Sequence, residues 1–244
     1  MTVQLNNPQC GLTGPQIIQW AVPVINAPTG TMANNGAITL GTALATTYAN
    51  CYLLLPAGAI ATGVPAAAAI LFCQMSSATV GTGFNNVYTT GVPTIPGAPV
   101  AFVTTGPGAY TGVTGAANGP TIVIPGNSLG PNGSMYYETT WQYNNSAGTK
   151  ALTVTFGGST IFNQNGTTSL CTSVKKNLQN RGVTNAQVSS DTGGQPGTGV
   201  GQAAIATLTT IDTTVNQNLI VVFNQNTATD FTVLDRFFVS IFQA

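Results

Sequence analysis

Between Met135 and Tyr143 the chain alternates: Met135, Tyr137, Thr139, Trp141 and Tyr143 take every second place, and Tyr136, Glu138, Thr140 and Gln142 fill the others. This is the period of a pleated strand, whose successive side chains point to opposite faces. The same period resumes after the turn at 144–150, with Leu152, Val154 and Phe156 on one face and Thr153 and Thr155 on the other. Read as one antiparallel hairpin, the two runs bury Trp141 and Tyr143 against Leu152 and Val154. Cross-strand pairs of this kind contribute about 0.2–1 kcal/mol each.

The rest of the chain has the same character. Apolar residues recur at spacing two, β-branched residues are common, and Gly and Pro interrupt the sequence at intervals of about ten residues, as all-β chains require. In the N-terminal half the expected strands are "QIIQWAVPVI", "AITLGTAL", "CYLLLPA", "AAILFCQMSS", "FNNVYTT" and "PVAFVTT". The segment "GPGAYTGVTGAANGP", residues 106–120, has the composition of a connector or long exposed loop. It sets an expected boundary between a β-rich, uncharged N-terminal region, 1–115, and a C-terminal domain, 116–244.

Beyond the boundary, "PTIVIPG" leads to Asn132-Gly133, a tight-turn signal because both residues tolerate positive φ. Further strands are expected at "GSTIFNQ", "SLCTSVKKN", "NAQVSS", "QAAIATLTTID", "NQNLIVVFNQN" and "FTVLDRFFVSIFQ". In the last of these, Phe237, Val239 and Ile241 alternate with Phe238, Ser240 and Phe242, so the strand is apolar on both faces. It needs cover from a second sheet plus a loop, or from a neighbouring chain. About eight strands at hairpin-like spacing imply an antiparallel β-sandwich. Jelly-roll and immunoglobulin-like arrangements both fit, and the missing Cys…Trp…Cys core signature favours the jelly roll.

Charge is nearly absent. Charged residues make up 4% of the 244-residue chain, against about 25% in an average soluble protein. Glu138 is the first of them, histidine does not occur, and the formal net charge is zero. A neutral polar surface gains little from self-repulsion and favours association. It also argues against nucleic acid as a partner, because phosphate binding needs several Lys or Arg side chains to displace counterions. The one basic cluster, Lys175, Lys176 and Arg181, reads as a solvated strand and turn or as a contact with an acidic neighbour. Together with Phe238 and Phe242 it forms the candidate interface.

Nothing in the sequence points to enzymatic chemistry. Without histidine the commonest general base and the usual activator of Ser or Cys are missing. A glycosidase needs two carboxylates within about 5–10 Å. The acids present, Glu138, Asp191, Asp212, Asp230 and Asp235, read better as turn formers and ion-pair partners: Asp191 and Asp212 in turns, and Asp235 with Arg236 or Lys150. No Asp-x-Asp-x-Asp run suggests calcium, and no cofactor is implied. The four cysteines, Cys10, Cys51, Cys73 and Cys171, lack zinc-site spacing and are expected as free thiols, with Cys73 a small buried hydrophobe.

The Gly-rich runs "GPGAYTG" and "TGGQPGTGVG" do not match a phosphate-binding loop. The N-terminus lacks the pattern of a signal peptide. The uncharged stretch at 52–72 is long enough for a membrane span, but Pro56, Gly58, Gly63 and Pro65 interrupt it, so two strands joined by a Pro/Gly loop are expected, with no membrane partner.

Several stretches then carry a resemblance: "MSSATVGTGFNNVYTTGVPTIP", "AFVTTGPGAYTGVTG", "IPGNSLGPNGSMYYETTWQYNNSAGTKALTVTFGG", "QNRGVTNAQVSS" and "TATDFTVLDRFFVSIF". From about Met75 to Ala244 the chain resembles virion structural, fibre or decoration proteins of tailed bacteriophages and prophages. The resemblance implies a non-enzymatic β-sandwich subunit on the outside of a particle, assembled in the bacterial host cytoplasm as a homotrimer. Its partners would be the major capsid protein or other virion proteins. As a capsid decoration or cement protein it would stabilise the head; as a tail fibre or spike it would bind host-surface glycans.

Overall fold

Strands, and no helix, make up the regular structure among the described residues of this computed structural model, which are 16–20, 22–33, 36–55, 69–88, 108–110, 115–168, 170–189 and 207–244. The N-terminal strands are β1 (Gln16–Trp20), β2 (Val24–Asn26), β3 (Gly30–Met32), β4 (Ala37–Leu40), β5 (Cys51–Leu55), β6 (Ala69–Met75), β7 (Val80–Tyr88) and β8 (Gly108–Tyr110). Next come β9 (Gly115–Ile124), β10 (Ser134–Tyr143), β11 (Lys150–Phe156), β12 (Ser159–Gly166) and β13 (Cys171–Asn180). The chain closes with β14 (Gln187–Ser189), β15 (Thr207–Thr209), β16 (Gln217–Gln225) and β17 (Thr232–Phe242). The all-β expectation holds.

Four antiparallel pairs are nested one inside another along the chain. β11 pairs with β12 and β10 with β13, while β9 pairs with β16 and β1 with β17. The pairings β10–β17 and β11–β16 then join them into two sheets. One sheet has the order β12–β11–β16–β9, and the other contains β13–β10–β17 with β1 beside β17. The remaining N-terminal strands extend this second sheet from the β1 side of β17: β2 pairs with residues 232–234, and β5, β6, β7, β4, β3 and β8 follow in order. The β2–β5 pairing is parallel.

The strand pattern explains where the cores form. β10 and β11 bury strictly alternate residues. Their inward sides, with those of β9, β13, β16 and β17, meet in one cluster in which Trp141 of one sheet stands edge-on to Phe223 of the other at 5.3 Å. A second cluster, including Ile25, Met32, Ile38, Leu53, Met75 and Val233, lies on the opposite face of β2 and β5. Tyr52 and Leu54 point into the first cluster, Cys51 and Leu53 into the second. A strand buried on both faces carries a continuous apolar run, which is why "CYLLL" reads as it does. β17 is likewise two-faced, with Leu234 in the first cluster and Val233 in the second.

The stretch 134–158 is not a hairpin. β10 and β11 lie in different sheets, and the turn between them crosses from one to the other. Alternation fixes which face of a strand is buried but not which strand lies beside it, so both apolar faces look into one core without being neighbours. The actual hairpin is β11–β12, closed by Gly157 and Gly158 with φ of 53° and 79°. A two-residue turn with both φ values positive matches the right-handed twist of its strands and favours glycine at both places.

Asn132-Gly133 is also not the tight turn expected. The positive φ values in that loop are at Asn127 and Gly130. Gly133 is needed for space instead: a Cβ there would lie 1.7 Å from the Leu129 carbonyl oxygen. The expected connector at 106–120 contains β8 and the first half of β9.

In the uncharged stretch, β5 and β6 pair antiparallel, as two strands were expected to do. No helix among the described residues is long and apolar enough to cross a membrane. Cys51, Cys73 and Cys171 are free thiols, the first two buried. The readings of Cys10, of "PVAFVTT", of Asp191 and of "TGGQPGTGVG" fall outside the described residues.

Candidate functional site

The outward face of β13, β10 and β17 gathers Glu138, Lys175, Arg236, Phe238 and Phe242. Register places Glu138 between Lys175 on one side and Phe238 on the other. Its Oε2 lies 3.8 Å from Lys175 Nζ, and its Oε1 accepts a hydrogen bond from Arg236 at 3.2 Å. The Arg236 guanidinium also sits 5.7 Å from the centre of the Phe238 ring, and Tyr136 packs edge-on against Phe238 at 6.3 Å. Burial, then the nearby Glu138 charge, raises the Tyr136 hydroxyl above its ordinary value. Phe242, at the end of β17, is 47% exposed, and Ile17 of β1, opposite Ser240 in register, is 58% exposed.

The basic run does not form one patch. Lys175 and Lys176 are successive strand residues and point to opposite faces. Lys176 is buried, with its ammonium 5.8 Å from the centre of the Phe162 ring. Arg181 is exposed beyond the end of β13, about 20 Å along the strand from Lys175 at roughly 3.3 Å per residue. Of the candidate interface residues, Lys175, Phe238 and Phe242 therefore share the outward side of the sheet, and Lys176 and Arg181 stand apart from them.

A bulge decides how the acids of β17 are used. Thr140 faces Arg236 and Trp141 faces Leu234, so Asp235 is the extra residue. Asp235 accepts a hydrogen bond from Gln142 and does not pair with Arg236 or Lys150 as expected. Burial raises its carboxyl above the ordinary aspartate value, while the Gln142 amide and the Tyr48 hydroxyl pull it the other way. Asp212 accepts from the hydroxyl and the backbone N–H of Thr214, the turn role expected of it, and these bonds lower its pKa.

The partner of Lys150 is Asp230, at 3.4 Å, with the side chains 0% and 2% exposed. The sequence held a signal for this buried charge: Lys150 continues the inward series Leu152, Val154, Phe156, and a charge on that series must find a counter-ion. Trp141 and Tyr143, 0% and 1% exposed, pack in the core and offer no ring to a sugar. Among the described residues no three His, Cys, Asp or Glu side chains converge as a metal site would require. Comparison with protein-family models, with curated proteins and with solved structures found no match to this chain.

Proposed function

We propose that this chain is a non-enzymatic structural subunit on the exterior of a tailed-phage virion, decorating and stabilising the capsid as a homotrimer. In this reading residues 116–244, joined by β1 of the N-terminal region beside β17, form a jelly-roll-like β-sandwich, and the rest of residues 1–115 is the attachment region. The observation that carries it is the use made of charge. Each described acid is held by a contact within the chain: Glu138 by Lys175 and Arg236, Asp212 by Thr214, Asp230 by Lys150 and Asp235 by Gln142. The surface that remains is mostly neutral, and other subunits can cover it without desolvating unpaired ions, a cost of several kcal/mol per charge. The sandwich reading is supported by the four nested strand pairs distributed over two sheets, which is the pairing scheme of a jelly roll.

A fibre or spike that binds host glycans is the second reading. One feature favours it: on the outward face, half-buried Tyr136 lies opposite exposed Asn177, which sets a ring and a hydrogen-bonding amide side by side. Copy number separates the two. Hundreds of copies per purified particle, all on the head, are expected for decoration. A few dozen or fewer, released with tails and binding host polysaccharide, would refute that reading in favour of the fibre.

A further inference from the structure

Among the described residues Lys150 and Asp230 form an ion pair with both side chains out of water, whereas the cations paired with Glu138 reach solvent. Lys150 is the first residue of β11, and Asp230 lies just before β17. Lys150 Nζ donates to Ser146 Oγ at 2.7 Å and to the Gly148 carbonyl at 2.8 Å, and lies 3.4 Å from Asp230 Oδ2. The other carboxylate oxygen, Oδ1, accepts from Asn144 Nδ2 at 2.8 Å, and Asn144 is itself fixed by accepting from the Phe231 N–H at 3.0 Å. A Cβ on Gly148 would lie 2.1 Å from Asp230 Oδ2, so the turn closes directly over the carboxylate. An amine and an acyl carbon are therefore packed together out of water, with a polar hydrogen aimed at the acyl oxygen.

We propose that Lys150 and Asp230 condense into a side-chain amide that ties the start of β11 to the turn before β17. In the first step one proton passes from the ammonium to Oδ2, which frees the lone pair of Nζ. The Nζ lone pair then forms the Nζ–Cγ bond, and the charge that develops on Oδ1 is met by the Asn144 N–H. The Cγ–Oδ2 bond breaks. Oδ2 leaves as water, carrying the first proton and a second one released by Nζ, so the products are one secondary amide and one water. No oxidant, reductant or further reactant is needed. Contact between the groups supplies the driving concentration, since well-oriented intramolecular reactions reach effective molarities of about 10⁵–10⁸ M.

The test is the mass of the purified full-length chain under denaturing conditions, followed by trypsin digestion. The expected mass is that of the sequence less one water. The expected digest lacks cleavage after Lys150, with the 1–175 peptide still joined to the 182–236 peptide. A mass equal to the full sequence, with a free peptide ending at Lys150, overturns the proposal. In a freshly synthesised chain, Asn144→Ala should slow the appearance of the lighter species by on the order of 10²-fold, as loss of one oxyanion donor does. Condensation at the wild-type rate in that variant would overturn the role assigned to Asn144.

Discussion

Trp141 and Phe223 offer a direct measurement of whether the two sheets face each other. The rings belong to different sheets, both are fully buried, and they meet edge-on at 5.3 Å with an interplanar angle of 72°. Truncation of Trp141 to alanine removes the larger ring and should cost about 3–5 kcal/mol, a large part of the 5–15 kcal/mol typical of a whole domain. Trp141→Phe is different. The indole N–H is buried with no hydrogen-bond partner, so the variant loses about 1–2 kcal/mol of burial and packing but also removes a donor whose desolvation costs about 1–3 kcal/mol. Its net effect should lie between about 1 kcal/mol of destabilisation and about 2 kcal/mol of stabilisation. The decisive quantity is the coupling in a double-mutant cycle of Trp141→Ala with Phe223→Leu, read by urea unfolding at constant m-value. An aromatic pair in contact gives about 0.5–1.5 kcal/mol. A coupling below about 0.3 kcal/mol, the usual scatter of additive sites, would show that the rings do not meet and would refute the two-sheet core. So would a Trp141→Ala cost under about 1 kcal/mol.

Three other outcomes follow from the charges and thiols. Glu138→Gln removes the partner of two exposed cations and should cost no more than about 1 kcal/mol, a difference that should vanish in roughly 1 M salt, where the Debye length is about 3 Å. Asp235 titrates higher in the folded chain than its ordinary 3.8, so the folded state binds more protons just above that pH. Its stabilising contribution is present at lower pH and is lost as pH rises through the raised value; stability measured across this window should be flatter in Asp235→Asn. Burial pushes the Cys51 thiol up to about 12, and Cys73 is also raised. A thiol reagent at neutral pH should therefore label exposed Cys171 in the native protein and reach Cys51 and Cys73 only on unfolding.

Period two made the strands and their buried faces legible. Trp141, Tyr143, Leu152 and Val154 all lie where alternation puts them, and Asp212 forms its turn for local reasons that the sequence contains. Partner choice was not legible. β10 pairs with β13 and β17, both separated from it by intervening strands, because register over such distances is set by the complementarity of whole faces. The Asp235 bulge shifts the phase of β17 by one residue, which separates Asp235 from the partners that simple alternation suggested. Lys150 and Lys176 show the converse, since both continue an inward apolar series and both are buried, a pattern overlooked when basic residues are assumed to face water. β3 and β8, three residues each, are too short to carry a period at all.

The position of β17 has a consequence for the order of events during synthesis. It lies between β10 on one edge and β1 and β2 on the other, and a ribosome makes every one of those partners before it makes β17. Until residues 232–242 emerge, β10 waits with a bare edge, and the core lacks Leu234, Phe237, Val239 and Ile241. Gln16 must then find Ile241 across almost the whole chain. Closure of that kind is slow, in the range of milliseconds to seconds, and leaves unpaired edges open to other chains in the meantime. Nascent copies made side by side on one message are thus exposed to one another before any of them can close.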